Sequence, residues 1–155
     1  MRIAHDTIVM VADGEKSLIF RNEGDERYPV LETLSRNEQS HPPSREQGRD
    51  KPGRTAASVG ARRSSYSQTD RHQHAEDRFA AQAAWALEEA AAVAAGGIIV
   101  LAPPRTLGVL RQHWGRRTRE KLLAEIDKNL THHTTDHVIT AIAAEPVTTS
   151  SGGGQ

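Results

Sequence analysis

The stretch of the chain that decides the fold is Gly96-Gly97-Ile98-Ile99-Val100-Leu101-Ala102-Pro103-Pro104. Its five central apolar residues do not alternate with polar ones, which predicts a strand that is covered on both faces. The preceding residues 75–95 are helix-forming almost throughout, and glycine is typical of the position just past a helix. A helix followed directly by a buried strand indicates a crossover unit, so this stretch predicts an α/β sheet.

The segments on either side complete the predicted sheet. Residues 7–12 form a second apolar run, and Asp13-Gly14 predicts a hairpin to a strand over 17–21, followed by a third strand near 30–36. After the strand at 98–102 we expect a helix capped by Thr106, and a last helix capped by Thr135 or Asp136. Residues 121–128 fit a strand and a helix; we favour a strand, because each buried strand then has a covering helix. The predicted fold class is therefore α/β, with a mixed sheet in β-β-β-α-β-α-β-α order and helices packed on it.

Composition limits the classes of protein that this chain can belong to. Its 155 residues suit one domain, and the 20 Lys and Arg residues balance the 20 Asp and Glu residues. Cysteine is absent from the sequence, which excludes disulfides, thiol catalysis and cysteine zinc sites. The amino terminus lacks the apolar stretch of a secretory signal, and no apolar run reaches the ~18–20 residues of a membrane span. We therefore expect a cytoplasmic protein without membrane contact.

A basic segment interrupts the predicted fold between the third strand and the first helix. Residues 41–74 contain seven Lys and Arg residues against three Asp and Glu residues, an excess of four positive charges in a chain that is neutral as a whole. Glycine, proline and polar residues dominate it, which predicts a long loop over 37–70 inside a single α/β domain of residues 1–145. Residues 146–155 have no periodicity and are predicted to be a disordered tail.

Several motifs in order along residues 1–143 resemble the bacterial family of host attachment proteins, also called proteins required for attachment to host cells. The motifs are Val11-Ala12-Asp13-Gly14, Asn22-Glu23-Gly24-Asp25-Glu26, Arg45-Glu46-Gln47-Gly48, Pro52-Gly53-Arg54, Ser58-Val59-Gly60-Ala61-Arg62-Arg63-Ser64, Gln68-Thr69-Asp70, Glu76-Asp77-Arg78-Phe79-Ala80, Leu101-Ala102-Pro103-Pro104-Arg105-Thr106-Leu107-Gly108 and Glu125-Ile126-Asp127-Lys128.

The resemblance implies a fold similar to the middle domain of archaeal and eukaryotic class-1 peptide release factors, with a ribonuclease-H-like topology. In those factors the loop at the corresponding place carries a Gly-Gly-Gln tip that positions water on the peptidyl ester. The loop of this chain has Glu46-Gln47-Gly48 and Pro52-Gly53-Arg54 instead. The resemblance therefore favours contact with RNA or the ribosome over hydrolytic release. The carboxyl-terminal Gly153-Gly154-Gln155 lacks the supporting shell that a catalytic glutamine needs, and we interpret it as coincidence.

The leading functional prediction is a non-enzymatic domain that binds RNA or a ribosome through this loop, because arginine forms bidentate contacts with phosphate and glycine permits close approach. Arg105 follows a buried strand, where it could hold a phosphate or pair with Glu76 or Asp77. No catalytic residue, metal or cofactor is predicted. The predicted binding residues are Arg45, Gln47, Gly48, Arg54, Gly60, Arg62, Arg63 and Arg105.

Other functions remain open from the sequence. The loop could bind a protein partner and act indirectly in attachment to host cells. A hydrolase of RNA or peptidyl-tRNA could use Gln47, or the carboxylates Asp13, Asp127 and Asp136 on metal ions. Among the histidines at 132, 133 and 137, His133 and His137 would share a face at a metal-ligand spacing if the last helix began early, although surface histidines are the simpler interpretation. Trp85 falls off the apolar stripe of its helix and is the candidate for contact between subunits of a homo-oligomer.

Overall fold

In the part of the chain that the structure describes, five strands form a mixed sheet with helices packed on both faces. The computed structural model describes residues 1–39 and 57–146, with backbone alone for residues 57–72. The strands are β1 (Ile8–Ala12), β2 (Lys16–Asn22), β3 (Leu31–Glu38), β4 (Ile98–Ala102) and β5 (Leu122–Asp127). The helices are α1 (Ala57–Val93), α2 (Pro104–Arg111), α3 (Arg116–Lys121) and α4 (Thr135–Ala143). The predicted α/β class with a mixed sheet is confirmed.

Strand pairing explains why the sheet is mixed. The order across the sheet is β3-β2-β1-β4-β5. The first three strands form an antiparallel meander, in which Val9 pairs with Phe20, whereas β1 and β4 are parallel, with Val9 beside Ile99. Strand β5 continues the parallel half beside β4. The two apolar runs noted in the sequence are therefore neighbours at the centre of the sheet.

Both faces of β1 and β4 are buried, which accounts for their continuous apolar sequences. One face carries Met10 and Val100, which belong to a core cluster with α1 and α2. The other face carries Val11 and Leu101 in a second cluster with α4. Every residue of β1 and β4 is buried, so neither strand has a solvent-exposed face on which polar residues would be expected.

The helix α1 is longer than the sequence predicted, and this corrects the predicted loop over 37–70. Strand β3 runs to Glu38, and α1 begins at Ala57 rather than at Ala75. No proline lies between Pro52 and Pro103, and polar residues form helices almost as well as apolar ones, so polarity alone was a poor signal for a loop. Residues 40–56 and most of the predicted tail, 147–155, lie outside the described residues.

Some helix boundaries also differ from prediction. Pro103, without a side-chain cap, precedes α2, so Thr106 lies inside the helix. Thr134 caps α4 by accepting a hydrogen bond from the His137 amide, one residue before the predicted cap. The short helix α3 was not predicted, because its six residues are almost all charged. The strand predicted over 121–128 is confirmed as β5.

The amino-terminal segment is fixed to the sheet by buried polar side chains. Asn22 is fully buried; its amide group donates to the Ile3 and Ala4 carbonyls and accepts from the Val30 amide. Asp6 has a positive φ of 71°, a conformation that Asp tolerates better than most residues. Its carboxylate accepts hydrogen bonds from the Ala95 amide and from Arg21, and these two donors lower the pKa of Asp6.

Candidate functional site

The predicted binding residues fall into three groups in the structure. Arg45, Gln47, Gly48 and Arg54 lie outside the described residues. Gly60, Arg62 and Arg63 lie in the first turns of α1, so they are helical rather than part of a loop. Arg105 lies at the start of α2, and its side chain is described.

The basic residues of α1 share a helix with the core of the domain. At about 1.5 Å per residue, the 37 residues of α1 span about 55 Å. Among its residues with described side chains, the buried ones begin at Phe79, and from there the helix packs on the sheet through Ala83, Leu87 and Ala91. The turns that carry Arg62 and Arg63 are therefore continuous with a firmly packed helix.

A cavity of about 230 Å³ lies at the carboxyl ends of β1 and β4, between α1 and α2. The chain leaves β1 toward β2 on one side and leaves β4 toward β5 on the other, so the two connections diverge there. Open α/β sheets commonly bind ligands at such a switch point, outside the carboxyl ends of parallel strands. The cavity is lined by Ala12, Asp13, Gly14, Glu76, Phe79, Ala80, Ala83, Pro103, Arg105, Thr106, Val109 and Leu110.

Arg105 and Glu76 form an ion pair among the residues that line this cavity. Arg105 Nη2 lies 3.1 Å from Glu76 Oε1, and the two side chains are 71% and 37% exposed. Pairing with Glu76 was one of the two roles predicted for Arg105. Such exposed pairs contribute little to stability, so both groups remain accessible to other partners.

The carboxylate of Asp13 stabilises the turn between β1 and β2. Its Oδ1 accepts hydrogen bonds from the amides of Glu15 and Lys16, at 2.7 and 2.8 Å. Its Oδ2 accepts from the hydroxyl of Thr131 at 2.7 Å. Gln39 ties this turn to α1, because its side-chain amide donates to the carbonyls of Gly14 and Ala75. The hairpin predicted from Asp13-Gly14 is confirmed.

The other carboxylates and histidines considered for metal binding lie apart. Asp127 ends β5, and Asp136 lies in the first turn of α4. His133 and His137 do approach each other, with ring centroids 4.4 Å apart. Within residues 1–39 and 73–146, no three His, Asp or Glu side chains are grouped as a metal site would require.

Trp85, the candidate for subunit contact, is 65% exposed.

The cavity itself was missing from the predicted site, although its position after β4 was recognised. Phe79 and Ala83 recur at the helical period in the sequence, and nothing in that periodicity distinguishes a side chain in the core from one that lines an open space. A usable signal was the arrangement of two apolar strands, each followed by a turn or a proline, at Asp13-Gly14 and Pro103-Pro104.

Comparison with known proteins agrees with this fold. Residues 6–142 match the family model of the bacterial archaeo-eukaryotic release factor family 12. The fold and the extent of this match define a release-factor-like α/β domain. The chain belongs to the bacterial archaeo-eukaryotic release factor family 12. The comparison with curated proteins returns no match. Of the helices in the described part of the chain, none combines the length and apolarity needed to cross a bilayer.

Proposed function

We propose that this protein is a non-enzymatic binding domain that acts in translation, contacting RNA of the ribosome through its arginine-rich segment. The observation that carries the proposal is membership of a release-factor family over residues 6–142. Translation factors of this type act on ribosomes, and a ribosomal partner implies a cytoplasmic location. The proposed contact residues are Arg45, Gln47, Gly48, Arg54, Gly60, Arg62, Arg63 and Arg105.

The distribution of charge supports RNA as the partner. The chain as a whole is neutral, yet residues 41–74 carry an excess of four positive charges. Arginine is well suited to phosphate, because its planar guanidinium donates two parallel hydrogen bonds. Contacts of this kind release counterions, so the proposed binding weakens steeply as salt is raised. The absence of Gly-Gly-Gln from residues 37–70 supports binding without hydrolysis of the peptidyl ester.

Co-sedimentation of the purified protein with ribosomal subunits over a range of salt concentrations tests the proposal. The decisive variant is Arg62→Ala/Arg63→Ala, which removes two adjacent charges from α1. We expect weaker binding and a salt slope that is shallower by about 0.7 for each lost contact with single-stranded RNA. The matched control is Arg116→Ala/Arg117→Ala, which removes two adjacent charges from α3, where the side chains are 87% and 59% exposed.

Three outcomes contradict the proposal. Equal loss of binding in both double variants would mean that only net charge matters. A pull-down that returns one protein and no ribosomal material would favour the protein-interaction function. Turnover of RNA or peptidyl-tRNA that is lost in Gln47→Ala would identify a hydrolase. An indirect role in attachment to host cells, which the sequence resemblance implies, stays a prediction.

A further inference from the structure

We propose that the cavity between α1 and α2 binds a free α-amino acid with an apolar side chain. The ligand's carboxylate would contact Arg105, its ammonium group would contact Glu76, and its side chain would fill the apolar interior. This inference goes beyond the proposed function and does not depend on RNA binding, since it rests on the size, lining and charges of the cavity.

The size of the cavity favours a ligand of this class. Its volume of about 230 Å³ far exceeds the space that a single water molecule needs. The cavity can therefore admit a ligand of the size of a single amino acid.

The interior of the cavity is apolar. Phe79, Ala80 and Ala83 contribute the wall from α1, and Val109 and Leu110 contribute the wall from α2. Small alanines on α1 leave space opposite α2, and Phe79, Ala80, Ala83 and Leu110 are each at most 5% exposed. Binding sites for small molecules are typically apolar with a few polar groups that orient the ligand. This interior suits a branched aliphatic or an aromatic side chain.

The charged residues of the cavity are complementary to a zwitterion. Arg105 and Glu76 present opposite charges 3.1 Å apart, and both side chains are partly exposed. A ligand that carries both a carboxylate and an ammonium group can replace their contact with two contacts of its own. Asp13 also lines the cavity, but its carboxylate already accepts three hydrogen bonds, whereas Glu76 faces Arg105 in an exposed pair.

Titration of the full chain with leucine, followed by the amide NMR signals of residues 79–83 and 107–110, tests the proposal. Two leucine analogues separate the charges: isoamylamine lacks the carboxylate, and isocaproate lacks the ammonium group. We expect leucine to bind about tenfold more tightly than either analogue, as a charged hydrogen bond is worth about that factor. Equal binding of all three ligands, or no shift of these signals at about 10 mM leucine, ten times the Kd of a ligand that binds with about −4.1 kcal/mol, would overturn the proposal.

Exchange of each charged residue assigns its role. In Arg105→Gln the preference of leucine over isoamylamine should fall to about one, while the preference over isocaproate persists. Glu76→Gln should show the converse pattern. The control pair is Arg116→Gln and Glu120→Gln, which breaks a comparable exposed ion pair of 3.2 Å on α3 and should change neither preference. The proposal is wrong if Arg105→Gln and Glu76→Gln each lower the preference over isoamylamine and the preference over isocaproate to the same extent. The two residues would then not bind separate charged groups of the ligand.

Filling the cavity supplies an independent test. Val109 lines the cavity and is only partly buried, so Val109→Phe can place its ring in the cavity without displacing a fully buried side chain. This variant should lose at least tenfold in affinity for leucine. The matched control Val93→Phe enlarges a valine that is 72% exposed on α1 and should bind normally. Normal binding by a folded Val109→Phe protein would show that leucine binds elsewhere.

Discussion

The carboxylate of Glu88, on α1, holds the first turn of α3 thirty residues further along the chain. It accepts hydrogen bonds from the amides of Arg117 and Thr118 and from the Thr118 hydroxyl, each at 3.0 Å. The residue before α3 is Gly115, and a Cβ at that position would lie 2.3 Å from Glu88 Oε1. No side chain at the N-cap position of α3 accepts a hydrogen bond from its first amides, and the carboxylate of Glu88 accepts them instead.

Glu88→Gln should therefore destabilise the protein at neutral pH. The amide side chain keeps one acceptor oxygen but loses the charge, and it turns an NH₂ group toward backbone donors. Loss of a capping side chain costs about 0.5–2 kcal/mol, and charged hydrogen bonds lie at the upper end, so we expect about 1–2 kcal/mol. For a chain of 155 residues this corresponds to a decrease in melting temperature of about 2–8 °C.

The pH dependence of this loss gives a sharper test. Burial raises the pKa of Glu88, but the donors from Thr118 and Arg117 outweigh it and hold the pKa below its ordinary value of 4.5. A carboxyl group with a lowered pKa in the folded state stabilises that state above its unfolded pKa, and the contribution disappears as pH falls through the folded pKa. The difference between wild type and Glu88→Gln should accordingly be constant above about pH 5 and shrink below pH 4.

Urea unfolding of both proteins at several pH values measures this difference, with Glu89→Gln as the control. Glu89 is the next residue on α1 and is exposed, so its substitution should change the free energy of unfolding by less than about 0.5 kcal/mol. Our account of Glu88 fails if both variants unfold at the same urea concentration, or if the loss in Glu88→Gln persists undiminished at pH 3.

Three further substitutions test the packing around the sheet by the same unfolding assay. Gly108→Ala should stabilise the protein by about 0.5–1 kcal/mol, because nothing lies within 4 Å of the added Cβ and glycine is unfavourable within a helix. A loss of stability would mean that α2 is packed differently there. Gly96→Ala should cost at least about 1 kcal/mol, because the Cβ would lie 2.7 Å from the Asp6 carbonyl oxygen; a neutral effect would contradict that close approach. Asn22→Ala should cost about 2–4 kcal/mol, since it leaves buried backbone groups without partners, and a cost under about 1 kcal/mol would contradict the network.

The two central strands could be predicted within one residue because their information is local. A run such as Ile98–Ala102 is apolar at every position, and a strand buried on both faces is the structure that accommodates it. The turn at Asp13-Gly14 was equally local, since the Asp13 side chain bonds amides two and three residues later. The family resemblance also came from short motifs, and its release-factor part is supported by the match over residues 6–142.

The start of α1 shows where local information failed. Residues 57–70 lack an apolar stripe and were predicted to belong to the loop, yet they are part of the helix that packs on the sheet. Periodicity detects the side of a helix that is buried, and a helical segment with little to bury leaves no such signal. The predicted binding residues Arg62 and Arg63 consequently lie on a helix.

By itself the sequence determined which segments are strands, where the hairpin turns, and that the sheet is of the mixed α/β class. The tertiary structure alone decided that β1 lies beside β4, that Glu88 caps α3, and that Arg105 meets Glu76 beside an open cavity. The physical reason is distance along the chain. Periodicity and turn chemistry act over a few neighbouring residues, whereas these contacts join groups about thirty to ninety residues apart, whose meeting depends on how the whole sheet is assembled.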